Sequence, residues 1–532
     1  MARKDDASPE AFAATLKEGF RFAGPTVAMG GALRGGAVFK DLPIAASLGL
    51  LNRHGLVAGA TGTGKTKTLQ GLAEKLSAAG VSVFLADLKG DLSGLMQPGE
   101  ASPKVLERAQ SLGATFTPAG FPVEFLSLTG THGAPMRATV ADFGPLLLAK
   151  ALELNETQAS VLALVFKFAD DQHLPLLDLT DLRAVVAWLA GDDPPDLSQY
   201  GGLSKSTAGV LARKLTELEA QGAGAFFGEP AFDVRDLLRT TPDGRGMISI
   251  LELSDVQDRP RLFSTFLMWL LAELYEELPE RGDAEKPLLV FFFDEAHYLF
   301  DDASKALTEQ ITQVVRLIRS KGVGIFFVTQ TPKDVPSSVL EQLGNRVQHA
   351  LRAFTPNDAK ALKATVSTFP MTPFYDLEET LTTLGIGEAV VSVLAETGAP
   401  APVAACRMLP PASRMAPLSE PEFASAVAGS ALAARLATAV DRESAREMLA
   451  ARMGQRVTVP ATSPQPGPTQ TPERAPATTR TNPPASGSGG GAGGAKVAAA
   501  AAAAIGGLFK FATSRQGQAL IRGVLGNPSR RR

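Results

Sequence analysis

The stretch Gly59-Ala60-Thr61-Gly62-Thr63-Gly64-Lys65-Thr66 constrains this chain more than any other. It fits the spacing G-x-x-x-x-G-K-[ST] at every specified position. Gly55–Ala58 before it reads as a short buried strand, and Leu69, Leu72, Ala73 and Leu76 after it recur at helical spacing to about Ala79. A strand, a glycine-rich turn and a helix start gather backbone N–H groups around one anion, and the helix dipole adds to them. Gly59, Ala60, Thr61, Gly62, Thr63, Gly64, Lys65, Thr66 and Lys67 make the expected cradle, with Lys65 on the outer phosphates and the Thr66 hydroxyl on Mg²⁺. The expected ligand is a nucleoside triphosphate.

A chain of 532 residues has room for about two to four domains. Charged residues are 20% and hydrophobic ones 45%, ordinary for a soluble globular protein. The net charge of −3 excludes a whole-molecule attraction to nucleic acid, so any such contact has to come from local patches. Cys406 is the only cysteine, which rules out an intrachain disulfide and fits a reducing compartment. Met1 to Glu10 carries no signal-peptide core, and no apolar run reaches the roughly 20 residues that a transmembrane segment needs. A cytoplasmic location is therefore expected. The five histidines are scattered without metal-ligand spacing.

Residues 1–50 form a lead-in, with a helix candidate at Pro9 to Glu18. The glycine-rich stretch Gly24 to Gly36 reads as one or two edge strands or a plain approach to the core. Residues 51–136 are the first part of an α/β core. Its second strand, Val81 to Ala86, delivers Asp87, Lys89 and Asp91 at its carboxyl end, where ligands collect in open parallel sheets. Residues 137–240 change character: Leu146 to Leu154, Glu156 to Ala169, Asp178 to Leu189 and Thr207 to Gln221 all have helical periodicity. Asn155 caps the second of these, and Thr180 or Asp181 the third. We read a helical insertion between the second and third core strands. The core resumes over 241–410, with strands at Gly246 to Leu251, Leu288 to Phe293, Val323 to Val328, Gly344 to Phe354, Glu388 to Leu394 and Pro402 to Met408.

The second stretch that carries chemistry is Leu288 to Glu295. Six apolar residues make a strand buried on both faces, and two carboxylates end it. Asp294 supports the Mg²⁺ shell and Glu295 polarises the attacking water. Val323 to Val328 ends in Thr329-Gln330, and Gln330 is placed to sense the outer phosphate. Arg316, Arg319, Arg346 and Arg352 are candidates for an arginine that completes a neighbouring subunit's site, with structural ion pairs as the alternative for each.

Residues 411–455 read as a helical extension. Residues 456–495, dominated by Pro, Gly, Ser, Thr and Ala, cannot bury enough apolar surface to fold and are expected to be a disordered linker. Residues 496–532 lack acidic side chains and have an apolar side with basic residues. Such a tail suits nucleic acid, an anionic membrane surface or the protein's own assembly.

The chain resembles the HerA–FtsK branch of P-loop ATPases, and more narrowly the YjgR-type HerA-like proteins of bacteria. The resemblance rests on the glycine-rich turn, Phe293-Asp294-Glu295-Ala296-His297, Arg319-Ser320-Lys321-Gly322-Val323-Gly324 and Val328-Thr329-Gln330. Further matching stretches are Ala86 to Leu95, Leu154 to Gln158, Phe226 to Pro230 and Gly344 to Phe354. It covers about Gly55 to Met408, with a weaker echo at Ile521 to Gly526. It implies a RecA-like P-loop core, to which the reading above adds a mainly parallel central sheet, a helical insertion and a flexible C-terminal region. It also implies ATP and Mg²⁺ as cofactors, Lys65, Glu295, Gln330, Arg319 and Arg346 as catalytic residues, and a homo-hexamer acting as a translocase or helicase on DNA. The alternative is a nucleotide-gated scaffold that acts on a protein partner through the tail or the insertion.

Overall fold

The computed structural model describes residues 8–452 apart from 193, 283, 301–304, 439 and 441. The chain divides into two units, Met1–Thr458 and Val459–Arg532. The readings for 456–495 and 496–532 lie outside the described residues.

The elements run as follows. The lead-in holds α1 (Pro9–Gly19), β1 (Thr26–Arg34) and β2 (Ala37–Ser47). The first part of the core holds β3 (Gly55–Ala58), α2 (Lys65–Ala78), β4 (Ser82–Asp87), α3 (Pro103–Ser111), β5 (Val123–Ser127) and β6 (Ala134–Pro135). Next come α4 (Val140–Ala151), α5 (Glu156–Asp171), α6 (Leu179–Leu189) and α7 (Lys205–Ala220). The core resumes with β7 (Ile248–Glu252), α8 (Pro260–Glu277), β8 (Leu289–Phe293), α9 (His297–Phe300), α10 (Lys305–Leu317) and β9 (Val323–Thr329). It ends with α11 (Ser337–Leu340), β10 (Asn345–His349), α12 (Pro356–Val366), α13 (Leu377–Thr383), β11 (Glu388–Ser392) and β12 (Ala404–Met408). The last helices are α14 (Glu420–Ala428), α15 (Ala431–Ala437) and α16 (Ala445–Arg452).

The fold is α/β. Twelve strands form one sheet in the order β2-β1-β12-β11-β10-β3-β9-β8-β4-β7-β5-β6. From β10 to β6 every pairing is parallel, and from β2 to β10 every pairing is antiparallel. The strands β3, β4, β7, β8 and β9 are buried at every position. That is the burial expected of strands covered by helices on both faces. Successive side chains alternate between the two faces. Phe291 and Phe293 of β8 join Phe84 and Phe327 in one core, with α4 to α8 and α10. Phe292 joins Phe326, Val83 and Val57 in the other, beneath α2.

Several sequence expectations change here. Of the two readings of the lead-in, the edge strands hold: β2 lies at the sheet edge and β1 pairs with β2 and β12. β5 and β6 add two strands beyond β7, so two further strands precede the helical segment. The strand expected through Phe354 ends at His349, and the chain turns into α12, where Thr355 is the cap and the Asp358 carboxylate reaches back to accept the N–H groups of Phe354 and Thr355. Asn155 caps α5 with a reciprocal bond from Gln158. For α6 the cap is Asp178, with Asp181 reaching back to it from the third helical position.

Candidate functional site

β3 ends at Ala58, and the turn that follows is held by its neighbours. Gly59 N–H is shared between the carbonyls of Thr329 at 3.2 Å and Gln330 at 3.1 Å, at the end of β9. Ala60 N–H reaches Ala350 O at 2.9 Å, just beyond β10, and Gly387 N–H reaches Thr63 O at 2.9 Å. Glycine is required at two of these positions. Gly64 opens α2 at φ 111°, in the left-handed region. At Gly59 a Cβ would lie 2.5 Å from Cβ of His349. Thr61 and Gly62 form the exposed tip, whereas Lys65 is buried. Its Nζ donates to the carbonyls of Gly59 at 2.7 Å and Ala60 at 3.2 Å. Burial lowers the Lys65 pKa, opposed by the negative charges of Glu295 and Asp294. Thr66 lies in the first turn of α2, half-buried.

The Lys67 side chain turns away from the cradle. Its Nζ donates to Gln70 Oε1 at 3.2 Å and Met415 O at 2.5 Å. With Gln70 and Glu74 it forms a polar stripe at helical spacing along α2. Gln70 binds Ser413 Oγ at 2.7 Å and Arg414 O at 2.9 Å. Glu74 accepts the N–H groups of Ala412 at 2.8 Å and Ser413 at 2.9 Å. The strap that leads from β12 to α14 is thus tied to the helix behind the glycine-rich turn. Any contribution of Lys67 to the cradle comes from its backbone.

Strand order explains the rest of the site. β9 lies between β3 and β8, so Gln330 emerges between the turn and the two carboxylates that end β8. Gln330 is exposed there, while the Thr329 hydroxyl is committed to Asp334 Oδ2 at 2.7 Å. Asp294 and Glu295 are 8% and 5% exposed. Burial and then the negative charge of Glu295 push the Asp294 pKa up to about 7. Its Oδ1 accepts the Glu295 N–H at 2.9 Å, and its Oδ2 is buried without a hydrogen-bond partner among the described residues. A carboxylate so placed fits Mg²⁺, whose positive charge would offset the burial and draw the proton off. Among the described residues no group of three or more His, Cys, Asp or Glu is set to hold a metal.

Glu295 adopts φ 48°, a left-handed conformation rare outside glycine. Its Oε1 forms an ion pair with Lys89, and His297 Nδ1 stands 3.3 Å from Oε2. Asp87 shapes the turn after β4: Oδ1 accepts from Lys89 N at 3.1 Å and Gly90 N at 2.8 Å, and Oδ2 from Leu92 N at 2.9 Å. Burial raises the Asp87 pKa to about 6 against those bonds. Beside it, burial and the charge of Asp87 push Glu252 up to about 8.

The arginines fall elsewhere. Arg346 is the second residue of β10, roughly 10 Å short of the turn at strand spacing. Its guanidinium donates to the carbonyls of Leu343, Thr368 and Leu340 of its own chain. Its donors are thus occupied within its own chain, at the far end of the strand. Arg319 precedes β9, also at the end of the strands opposite the glycine-rich turn. Arg316 and Arg352 are exposed, and only Arg352 follows a strand at the edge that carries the turn. Sequence reading missed His349, which backs Gly59, because a single histidine at a strand end has no motif around it. It also left the partner of Lys89 open.

A family model described as Helicase HerA-like C-terminal matches residues 36–532. The chain is 23% identical over 367 residues to the DNA double-strand break repair helicase HerA of Sulfurisphaera tokodaii, covering 67% of this chain and 66% of that one. It is 31% identical over 154 residues to the probable helicase MJECL08 of Methanocaldococcus jannaschii, covering 27% and 28%. The chain thus spans slightly less than two thirds of the first relative's length and about a quarter of the second's. Among solved structures, the plasmid coupling protein TrwB in complex with ADP and Mg²⁺ matches at 17% identity and TM-score 0.47, covering 73% of this chain and 96% of that one. VirB4 of Thermoanaerobacter pseudethanolicus matches at 13% identity and TM-score 0.46, covering 76% and 99%.

Proposed function

The chain belongs to the HerA-like helicase C-terminal family, and from that premise we propose that it is an Mg²⁺-dependent ATPase that assembles into a ring and moves along DNA. The observation that carries the ATPase reading is the convergence of Lys65, Gln330, Asp294 and Glu295 at the carboxyl ends of β3, β9 and β8. The backbone N–H groups of 59–67 bind the phosphates, and Lys65 exchanges the carbonyls of Gly59 and Ala60 for phosphate oxygens. Thr66 and Asp294 would hold Mg²⁺, which when bound would supply positive charge against the triphosphate. Glu295 Oε2 takes a proton from water as the water oxygen bonds to the γ-phosphorus. The bond from that phosphorus to the bridging oxygen breaks, and ADP leaves with the electron pair. Gln330, between the turn and the carboxylates, orients the water.

Ring assembly is the finer step. Arg319 sits before the amino end of β9, at the end of the strands opposite the site, and a head-to-tail interface brings that end of one subunit to the next subunit's site. Arg319 is then the residue we assign to the neighbour's phosphates, and a hexamer is the expected closure. The DNA substrate is supported by the family and the HerA relative. A second reading, a nucleotide-gated scaffold for a protein partner, is favoured by the strap on α2, which joins the site to α14 and the helices after it.

The test is an ATPase assay with and without single- and double-stranded DNA, alongside native mass spectrometry. We expect DNA to stimulate turnover, and Lys65→Ala and Glu295→Gln each to lower it by at least about a hundredfold. Turnover equal with and without DNA, in a protein that does not bind DNA at low salt, would exclude the translocase reading and leave the scaffold.

A further inference from the structure

Lys89 and Glu295 come from different strands. Lys89 lies in the turn after β4 and Glu295 at the end of the adjacent β8. The lysine side chain is 49% exposed and the glutamate 6%, so a cation reaches in from the rim to a buried carboxylate. The turn that carries it is fixed at several points. Asp87 accepts the N–H groups of Lys89, Gly90 and Leu92, and Gln257 Nε2 donates to Leu88 O at 2.6 Å. On the other side, the left-handed backbone at Glu295 is a strained conformation that persists where its surroundings impose it. The two oxygens of Glu295 are unequal as a result. Oε1 is taken by Lys89, whereas Oε2 is buried, makes no hydrogen bond among the described residues and stands 3.3 Å from His297 Nδ1.

We infer that Lys89 is a positioning residue for the hydrolysis proposed above. By holding Oε1 it turns Oε2 toward the water and fixes the carboxylate that takes the proton. The inference rests on the ATPase reading and adds to it a residue outside the phosphate turn and the paired carboxylates. Lys89 acts through Glu295, so its removal should cost turnover and spare nucleotide binding. A lysine that only stabilised the fold would alter melting and leave kcat alone. One that bound phosphate in the ground state would raise KM.

The experiment compares wild type, Lys89→Met, Lys89→Arg, Glu295→Gln and the Lys89→Met/Glu295→Gln double variant. The readouts are kcat, KM for MgATP, thermal melting and affinity for a fluorescent ATP analogue. We expect Lys89→Met to lower kcat about tenfold or more with KM within about threefold, analogue affinity unchanged and Lys89→Arg restoring most of the rate. The double variant should be no slower than Glu295→Gln, since both changes remove one unit. A Lys89→Met kcat within about twofold of wild type, a faster rate, or a further loss in the double variant would overturn the assignment while leaving the ATPase reading intact. A wild-type protein without turnover would overturn the ATPase reading and the role of Lys89 together.

Discussion

Thr68 donates its hydroxyl hydrogen to Nε2 of His349, 2.9 Å away, in a contact closed to solvent. The tautomer follows from the other side of the ring, where Nδ1–H donates to Glu388 O at 2.9 Å. The first turn of α2, the end of β10 and the start of β11 are thereby joined behind Gly59. His349→Ala would strand both partners and leave a cavity under the phosphate turn. The expected loss is about 2–4 kcal/mol, read as a lower melting temperature, together with weaker binding of an ATP analogue. Thr68→Val, which keeps the shape, should cost roughly 1–2 kcal/mol. Unchanged melting in both variants would contradict this account.

Burial also keeps His349 neutral, with its pKa pushed down to about 4, as it does for His54 at the foot of β3. A folded-state pKa below the unfolded value near 6.5 means that the unfolded chain binds the extra proton between those limits. The stability gained from each ring is therefore fully present above about pH 6.5 and is lost as pH falls toward 4. His349→Asn should differ most from wild type at pH 7, and the gap should shrink by roughly 3 kcal/mol on going to pH 4. Denaturant melts at a series of pH values measure it; a gap independent of pH would refute the assignment.

Glu252 has the opposite sign. Its folded pKa is raised to about 8, so the unfolded chain releases its proton first as pH rises. The stability it permits is present below its unfolded value near 4.5 and is lost through about pH 8. Glu252→Gln keeps the shape and removes the titration. It should match wild type near pH 5 and exceed it by a few kcal/mol at pH 9, in the same melts. A glutamine variant less stable at pH 9 would show that a cation compensates Glu252 in solution.

The strap offers a local readout. Glu74 accepts two backbone N–H groups and the hydroxyl of Ser413, which is wholly buried. Glu74→Ala should release residues 412–418 without unfolding the sheet. The expected result is faster proteolytic cleavage in that segment and a stability loss of about 2–4 kcal/mol. Cleavage at the wild-type rate would show that the strap is held by other contacts.

The phosphate turn and the paired carboxylates were legible because both follow uninterrupted apolar strands, and their chemistry needs fixed residue types. The lead-in strands were ambiguous for a physical reason. At Gly30 of β1 a Cβ would fall 1.9 Å from the carbonyl oxygen of Arg407, so a glycine that resembles loop composition is a close strand approach. The cap of α6 was placed at Thr180 or Asp181, two or three residues late, because Asp178 and Asp181 form a reciprocal pair, either of which looks like a cap. The Lys89–Glu295 pair and the His349 brace join residues that lie 206 and 281 positions apart from their partners, beyond any periodicity.

The pairing of Gly30 with Met408 has a consequence for how the protein is made. β1 leaves the ribosome early and waits for β12, while β10 and β11, which join that edge to β3, are also late. Such long-range pairing slows closure and leaves a strand edge open during synthesis. The parallel half from β3 to β6 needs nothing beyond β9, so it can consolidate first. The phosphate turn would then be shaped before its His349 brace exists, and competence to grip a nucleotide would arrive as one of the last events in the life of the nascent chain.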